Sequence, residues 1–583
     1  MSARSETVAA RLSMAAVGTI AGLSAWALVD VVPDRVADPH LALALVAGGL
    51  GFFGVLLALL GPARLIPSAL SAAALALPAT LLFVWASHRY DTVAQFLDGP
   101  LHVTDFVILL AIPVPFIAAA LDQPGGWRRY DMLFDLAWTI VVRYAAALLF
   151  LGMVWALLLL SDALLGLVGI TVIEWLLDQD PFAWVLSGLV LGLGLAIVHE
   201  YRDYVSPFLI IQLLRVVLPV LLLVLAIFIL ALPFRGLAGL FGHFSAAVAL
   251  TAVALAGVSL VTASVHRDDD LAVESRLMLV ATQVMALLLP VPAALAIYAL
   301  AQRVAQHGLT PDRVAGGLVA LLVLAYAVLY AGSVLLRRNW GARIRRVNSV
   351  MALVAVALAA LWLTPVLNAE RISVAHQVAR AERGLPPERL GLWEMAHDWG
   401  KAGQRGLARL RDLPAYPEPE RLAAEIDRAE AAEGLWAYEA GQPGAGLDLA
   451  SLVPVLPQGA ALPEGGFDGL RDADRQLIAQ ACARPLPGGQ PGCVVVLADF
   501  DPLRGTRSAI GLFLTGDGRV DAMSLGEGPK GLYRTGYVSE AGSDQPARLD
   551  AALLSEIVEG RFEIVPAPRN VLGVGEKRFF PNN

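Results

Sequence analysis

Eleven apolar runs, near residues 14–32, 41–61, 66–87, 101–121, 139–161, 182–199, 214–233, 244–265, 277–301, 313–336 and 349–367, dominate the first part of the chain. Lipid tolerates only a backbone that satisfies its own hydrogen bonds, and a helix needs about 20 apolar residues to cross the hydrocarbon. The runs therefore predict an α-helical polytopic membrane bundle over 1–367. Residues 368–583 have ordinary soluble composition, which accounts for an overall charged fraction of 16% against the quarter or so usual in soluble proteins. That part is expected to form a juxtamembrane helical segment, 368–434, and a soluble α+β domain, 435–583.

Two stretches test the count. "ALLGLVGITVIEWLLD" (163–178) is short and carries Glu174 and Trp175, so it reads as interfacial or re-entrant rather than spanning. The first run follows Arg4 and Arg11, and "AWA" (25–27) imitates a signal-peptide cleavage site. Ten further spans favour an uncleaved anchor.

Arginine sets the orientation, because short loops rich in Lys or Arg stay cytoplasmic. With the N-terminus inside and eleven spans, the inside segments carry 14 arginines, among them Arg128, Arg129, Arg267 and five in "RRNWGARIRR" (337–346). The outside loops carry five: Arg35, Arg89, Arg235, Arg303 and Arg313. A twelfth span at 163–178 would leave 8 inside and 11 outside. The expectation is a bacterial inner-membrane protein with a periplasmic C-terminal domain. Cys482 and Cys493 are the only cysteines, both in that domain, separated by a Pro/Gly-rich turn. An oxidising compartment would close them as a disulfide. A metal site would need two further soft ligands.

In the soluble part, "RISVAHQVARAER" before Gly384, a segment with Leu392, Ala396, Trp399, Gly403, Leu407 and Leu410 on one face, and "PEPERLAAEIDRAEAAEG" read as helices. Period-two patterns follow. "CVVVLADF", "SAIGLFLT" and "RVDAMSL" read as strands, the last two joined at "GDG" (516–518), and "ARLDAALLSEIVEG" as a helix before "RFEIVPA" and "NVLGVGEKRFF".

Each chemical candidate has a plainer alternative. Glu394 and His397 share a helical face at metal-site spacing, but there is no second copy, and Lys401 and Arg405 continue that face. A solvated face with Asp398 pairing to Lys401 accounts for them; His376 beside Gln377 is weaker. Asp499 and Asp501 end a strand without the alternation of a calcium loop. Hydrolase, zinc-protease, Walker and dinucleotide motifs are absent, so no catalytic residue, metal or cofactor is assigned.

In the bundle the ionisable suspects are Asp105, Asp135, Arg143 and Glu174. Asp135 and Arg143, eight apart, either pair within the bundle or leave Asp135 at the cytoplasmic interface beside Arg128 and Arg129. The polar loop "VHEYRDYVSPFL" (198–209) fits an interfacial belt, and Pro219, Pro290 and Pro292 predict kinks. The net charge of −8 comes without a basic stripe, which excludes a nucleic-acid partner.

"RISVAHQVAR" followed by "LGLWEMAHDWGKAGQRGLARL" directly after the last run, and "YVSPFLIIQLLRVVLP" before the seventh, resemble a bacterial membrane-protein family catalogued as domain of unknown function 4153. The resemblance implies membrane residence and brings no activity or site residues. The sequence leads to a protein of the lipid bilayer whose outer domain binds or scaffolds an envelope protein or lipid. A transporter or flippase, or a membrane enzyme acting on lipid or envelope sugar, are the alternatives.

Overall fold

The computed structural model describes residues 3–582 apart from 61–64, 201–207, 236–245, 270–271, 273–274, 414–415, 433, 436–437, 439–448, 501–507, 516–518, 529, 541–546, 548, 566–570 and 575–576. Most of the 198–209 loop, Arg64, Asp501 and the 516–518 turn lie outside the described residues. The chain divides into two compact units, Met1–Ala423 and Ala424–Asn583.

Among the described residues, ten helical stretches of the first unit are long and apolar enough to cross a bilayer, and the shorter Phe182–Val198 adds an eleventh apolar helix. The chain is a multi-pass membrane protein. The helices used below are α1 (Ala3–Trp26), α2 (Pro39–Leu59), α3 (Leu65–Ser87), α4 (His102–Ala111), α5 (Pro113–Asp122), α6 (Tyr130–Gly166), α7 (Phe182–Glu200), α8 (Phe208–Arg235), α9 (Ala246–Val265), α10 (Arg276–Leu288), α11 (Pro290–His307), α12 (Pro311–Leu335) and α13 (Trp340–Trp362). Pro290 separates α10 from α11 within one apolar stretch, whereas α8 continues through Pro219.

Glycine brings α1 against α7. A Cβ on Gly188 would lie 2.2 Å from the carbonyl oxygen of Gly18, and one on Gly192 would lie 2.4 Å from that of Met14. The partner numbers fall on α7 as they rise on α1, so the two helices run antiparallel. This is the small-residue contact that lets helices associate in lipid, where no hydrophobic gain drives them together. Helices α6 and α7 are antiparallel as well: Ala147 packs on Gly194, and Trp155 donates to Ser187 at 3.1 Å. The chain therefore reverses once between them, and a spanning 163–178 is excluded. The first residues of that segment extend α6, and the rest form the six-residue helix Val172–Leu177.

Polar contacts gather at two ends of the bundle. At one end Arg11 bonds Glu200 at 2.5 Å, Arg267 pairs with Asp135, and Arg345 reaches Asp269 at 2.5 Å. At the other Trp184 donates to Asp30 at 2.9 Å, Trp362 to the Pro100 carbonyl at 3.2 Å, and Gln377 to the Leu309 carbonyl at 3.2 Å.

That second end carries α14 (Ala369–Glu382), α15 (Leu392–His397) and α16 (Gly400–Arg411). The expected apolar face is buried at Leu392, Trp399, Gly403, Leu407 and Leu410, but two helices supply it. Gly400, at φ +50, breaks the helix, and a Cβ on Gly403 would meet the Met395 carbonyl at 2.0 Å, so α16 folds back on α15.

The described residues of the second unit form a nine-stranded sheet in the order β1-β2-β3-β4-β5-β9-β8-β7, with β6 (Leu549–Asp550) on β4. The ends of the order are β1 (Val455–Leu456) and β7 (Glu563–Val565). Strands β2 (Cys493–Ala498), β3 (Ser508–Leu514) and β4 (Arg519–Gly528) are where the pattern put them, as is β7, whereas the single strand expected over "NVLGVGEKRFF" is two, β8 (Val571–Val574) and β9 (Lys577–Asn582), paired antiparallel. The pairs are antiparallel except β1 with β2. Val494 and Val496 pack with Leu554 and Ile557 of the helix Ala551–Val558, while Cys493 and Val495 pack with Ile478 of the helix Asp472–Cys482. Cover on both faces explains why "CVVVL" is continuously apolar. The sequence reading missed β5 (Gly531–Glu540), a strand in which only four of ten residues are buried. Cys482 and Cys493 form a disulfide that joins the Asp472–Cys482 helix to β2.

Candidate functional site

The chain leaves α13 and starts α14 within seven residues, and Asn368 caps the new helix by accepting from the Arg371 amide at 2.7 Å. Glu370 is thereby placed in the first turn, where a carboxylate suits the helix dipole. It is 3% exposed. The end of α3 supplies its partner: a turn from Ala86 to Tyr90 carries the Tyr90 hydroxyl to Glu370 Oε1, 2.7 Å away. His102 Nε2 approaches the same oxygen at 3.9 Å, with Phe96 packed against both rings. Burial first, and Glu370 second, push the Tyr90 phenol well above its ordinary pKa, so it keeps its proton and donates.

Arg89 lies alongside. Its Nη1 donates to the Trp362 carbonyl at 3.1 Å, and burial lowers its pKa while Glu370 opposes the change. The second oxygen of Glu370 and Nη2 of Arg89 are buried with no hydrogen-bond partner among the described residues. Buried polar groups are nearly always bonded, so this concentration of open valences marks the place.

Above Glu370 opens a cleft of about 730 Å³, flanked by Trp85 and Trp399. Arg89, Arg371, Lys401, Arg405 and Arg409 line it, and Glu370 is the one acidic residue among its described walls. Lys401 is anchored: its amide donates to the Arg89 carbonyl at 2.9 Å and its Nζ to the His88 carbonyl at 3.1 Å. Gly400 permits that approach, since a Cβ there would lie 2.8 Å from the Arg89 oxygen. Arg409 is partly neutralised by Glu382 at 3.3 Å. Its described lining makes the cleft a cationic pocket that includes the Glu370 carboxylate.

The residues singled out from sequence lie elsewhere. Asp398 is exposed and Glu394 and His397 half-buried. Trp393 stacks on the His397 ring, and the His397 carbonyl accepts from Gln95 at 3.0 Å. Lys401 binds the His88 carbonyl, as described, in place of the expected Asp398 partner. His376 accepts from the Leu309 amide at 3.2 Å, fixing α14 to the loop after α11. Glu174 is exposed on its short helix, not buried among spans. Asp105 is buried in α4, and its Oδ2 has no hydrogen-bond partner among the described residues.

The pair Asp135–Arg143 does not form. Asp135 bonds Arg267, and both side chains are more than a third exposed, in keeping with the interfacial alternative. Arg143, 2% exposed, donates from Nη2 to the carbonyls of Leu57 and Ala58 at 2.9 and 3.3 Å. It satisfies the last turn of α2, where a cation also suits the dipole. Replacing Arg143 with methionine is expected to cost about 1.5–3 kcal/mol, the value of charged hydrogen bonds, seen as a lower melting temperature in detergent. Asp135→Asn is expected to change it by less than about 1 kcal/mol. Equal melting of R143M and the unsubstituted protein would refute the capping role.

A second cavity of about 710 Å³ lies within the bundle among α2, α4, α5 and α6. Its walls are apolar, and the polar groups at its rim bond one another: Asn348 donates to Tyr130 at 2.9 Å and Tyr330 to Asn348, while Thr262 lies 2.8 Å from Tyr330.

Glu370, Arg89, Tyr90 and His102 escaped the sequence reading. The available signal was a polar loop, "SHRYDT", directly after Trp85, together with "NAER" immediately past the last span. No family model matches the chain, and no curated protein or solved structure does.

Proposed function

We propose that this is a bacterial inner-membrane protein, N-terminus inside, whose extracytoplasmic end binds an envelope component. The observation that carries the reading is the cationic cleft at the span ends. It supplies what a binding role needs: charge, interfacial tryptophans, and buried polar atoms with unused bonding capacity. The arginine excess near Arg267 and Arg345 supports that end as cytoplasmic under the positive-inside rule. The Cys482–Cys493 bond supports an oxidising location for the second unit. Resemblance to the family of unknown function 4153 asks for the same membrane residence. A transport role draws less support, because the bundle cavity's walls offer a solute chiefly apolar contacts.

Cysteines introduced at exposed Asp98 and half-exposed Asp131 test the side. The native pair is bonded and does not compete. In spheroplasts a membrane-impermeant maleimide is expected to label D98C at least tenfold faster than D131C. The reverse order would sink the reading.

A further inference from the structure

We propose that the cleft binds a phosphate ester that carries a free hydroxyl close to its phosphate, as glycerol- and sugar-phosphate headgroups do. The inference rests on the reading that this end of the bundle binds an envelope component, and it specifies the chemistry of that component.

The cations come first. Arg371, Lys401 and Arg405 are exposed around the opening, and guanidinium groups bond phosphate oxygens in pairs. Arg405 Nε is held by the Lys401 carbonyl at 2.9 Å, so the terminal nitrogens remain to face the cleft. Arg89, deeper, has Nη1 on the Trp362 carbonyl and a buried Nη2 with open capacity. With Arg409 paired to Glu382, Arg89, Arg371, Lys401 and Arg405 still outnumber Glu370 among the described walls, a balance that favours an anion.

The carboxylate is what narrows the ligand. Glu370 is 97% buried by its 3% exposure, and Tyr90 fixes one oxygen at 2.7 Å. The other has no hydrogen-bond partner among the described residues. An ionised carboxylate accepts and never donates, so it repels a bare phosphate oxygen and welcomes a hydroxyl. A ligand that meets both requirements bears its phosphate toward the cations and a hydroxyl toward Glu370 Oε2. Trp85, 54% exposed at the end of α3, places the opening at headgroup depth.

The test uses the full chain in nanodiscs of phosphatidylcholine doped with either phosphatidylglycerol or phosphatidylethanol. The two lipids carry equal charge, and only the first has headgroup hydroxyls. Lipid retained on the protein is counted by native mass spectrometry. One hydrogen bond to a charged group is worth roughly tenfold, so phosphatidylglycerol is expected to be retained about tenfold better. Glu370→Gln is expected to erase that preference, and Arg371→Ala with Lys401→Ala to lower both anionic lipids by about tenfold.

Equal retention of the two lipids by the unsubstituted protein would overturn the hydroxyl assignment without any variant having to fold. Retention unaffected by R371A/K401A would overturn the cleft as the site. Water-soluble sn-glycerol 3-phosphate forms the other arm. Displacement of lipid by it at micromolar concentration would support the phosphate–hydroxyl chemistry and assign it to a soluble ester. Maleimide labelling from the wrong side would remove the extracytoplasmic reading while leaving these affinities intact, so the two failures are distinguishable.

Discussion

Replacing Gly188 with leucine is expected to separate α1 from α7 and to lose most of the folded protein. A side chain at this position would begin 2.2 Å from the Gly18 carbonyl oxygen and 2.8 Å from the Gly22 Cα. Both obstacles are backbone, so no rotamer relieves them and the helices must move apart. In water, new apolar surface between the helices would offset part of the loss. In lipid it does not, because the tails are as apolar as leucine and close packing is the attraction itself. Overpacking a core typically costs 1–3 kcal/mol, and this contact is expected at or above the upper end, about 3 kcal/mol. Gly152→Leu is the control, since a Cβ there meets nothing within 4 Å. Melting temperature and the monodisperse yield in detergent are the readouts. Similar losses in G188L and G152L would show that the α1–α7 contact is not what G188L breaks.

Removing the disulfide is expected to have the next largest effect, confined to the second unit. Cys482 and Cys493 are 11 residues apart, and closing a loop of that size takes about 3 kcal/mol of chain entropy from the unfolded state. The bond also fixes the end of one covering helix to β2, so its loss frees the helix that carries Ile478 over Val495. Cys482→Ala with Cys493→Ala is expected to make the second unit a preferred target of limited proteolysis, with the membrane unit unaffected. The same pattern should follow from adding reductant to the unsubstituted protein. Identical cleavage rates with and without the bond would refute it.

The membrane half of the fold was legible because lipid imposes one simple demand, and each apolar run answers it by itself. The strands of the second unit were legible by their β-branched runs, while β5, with "YRTGY" at its centre, lacked the apolar signal. The site was another matter. Asp135 and Arg143 invited pairing by spacing along one helix, yet each found its partner on another: Arg267 after α9, and the end of α2. The Glu370 cluster joins residues 280 positions apart, a distance no periodicity reports. "EMAHDWGK" drew attention by composition, but what it contributes is Gly400 and Lys401, which lock α16 onto the loop after α3.

The sheet of the second unit has a consequence for how it meets other molecules. Helices cover β2 and β3 on both sides, and the strand order closes on segments of two residues, Val455–Leu456, and three, Glu563–Val565. Such stubs present little unpaired backbone for another chain to zip onto. Edge-to-edge pairing of one copy's described sheet with the next is therefore disfavoured at both ends of the strand order.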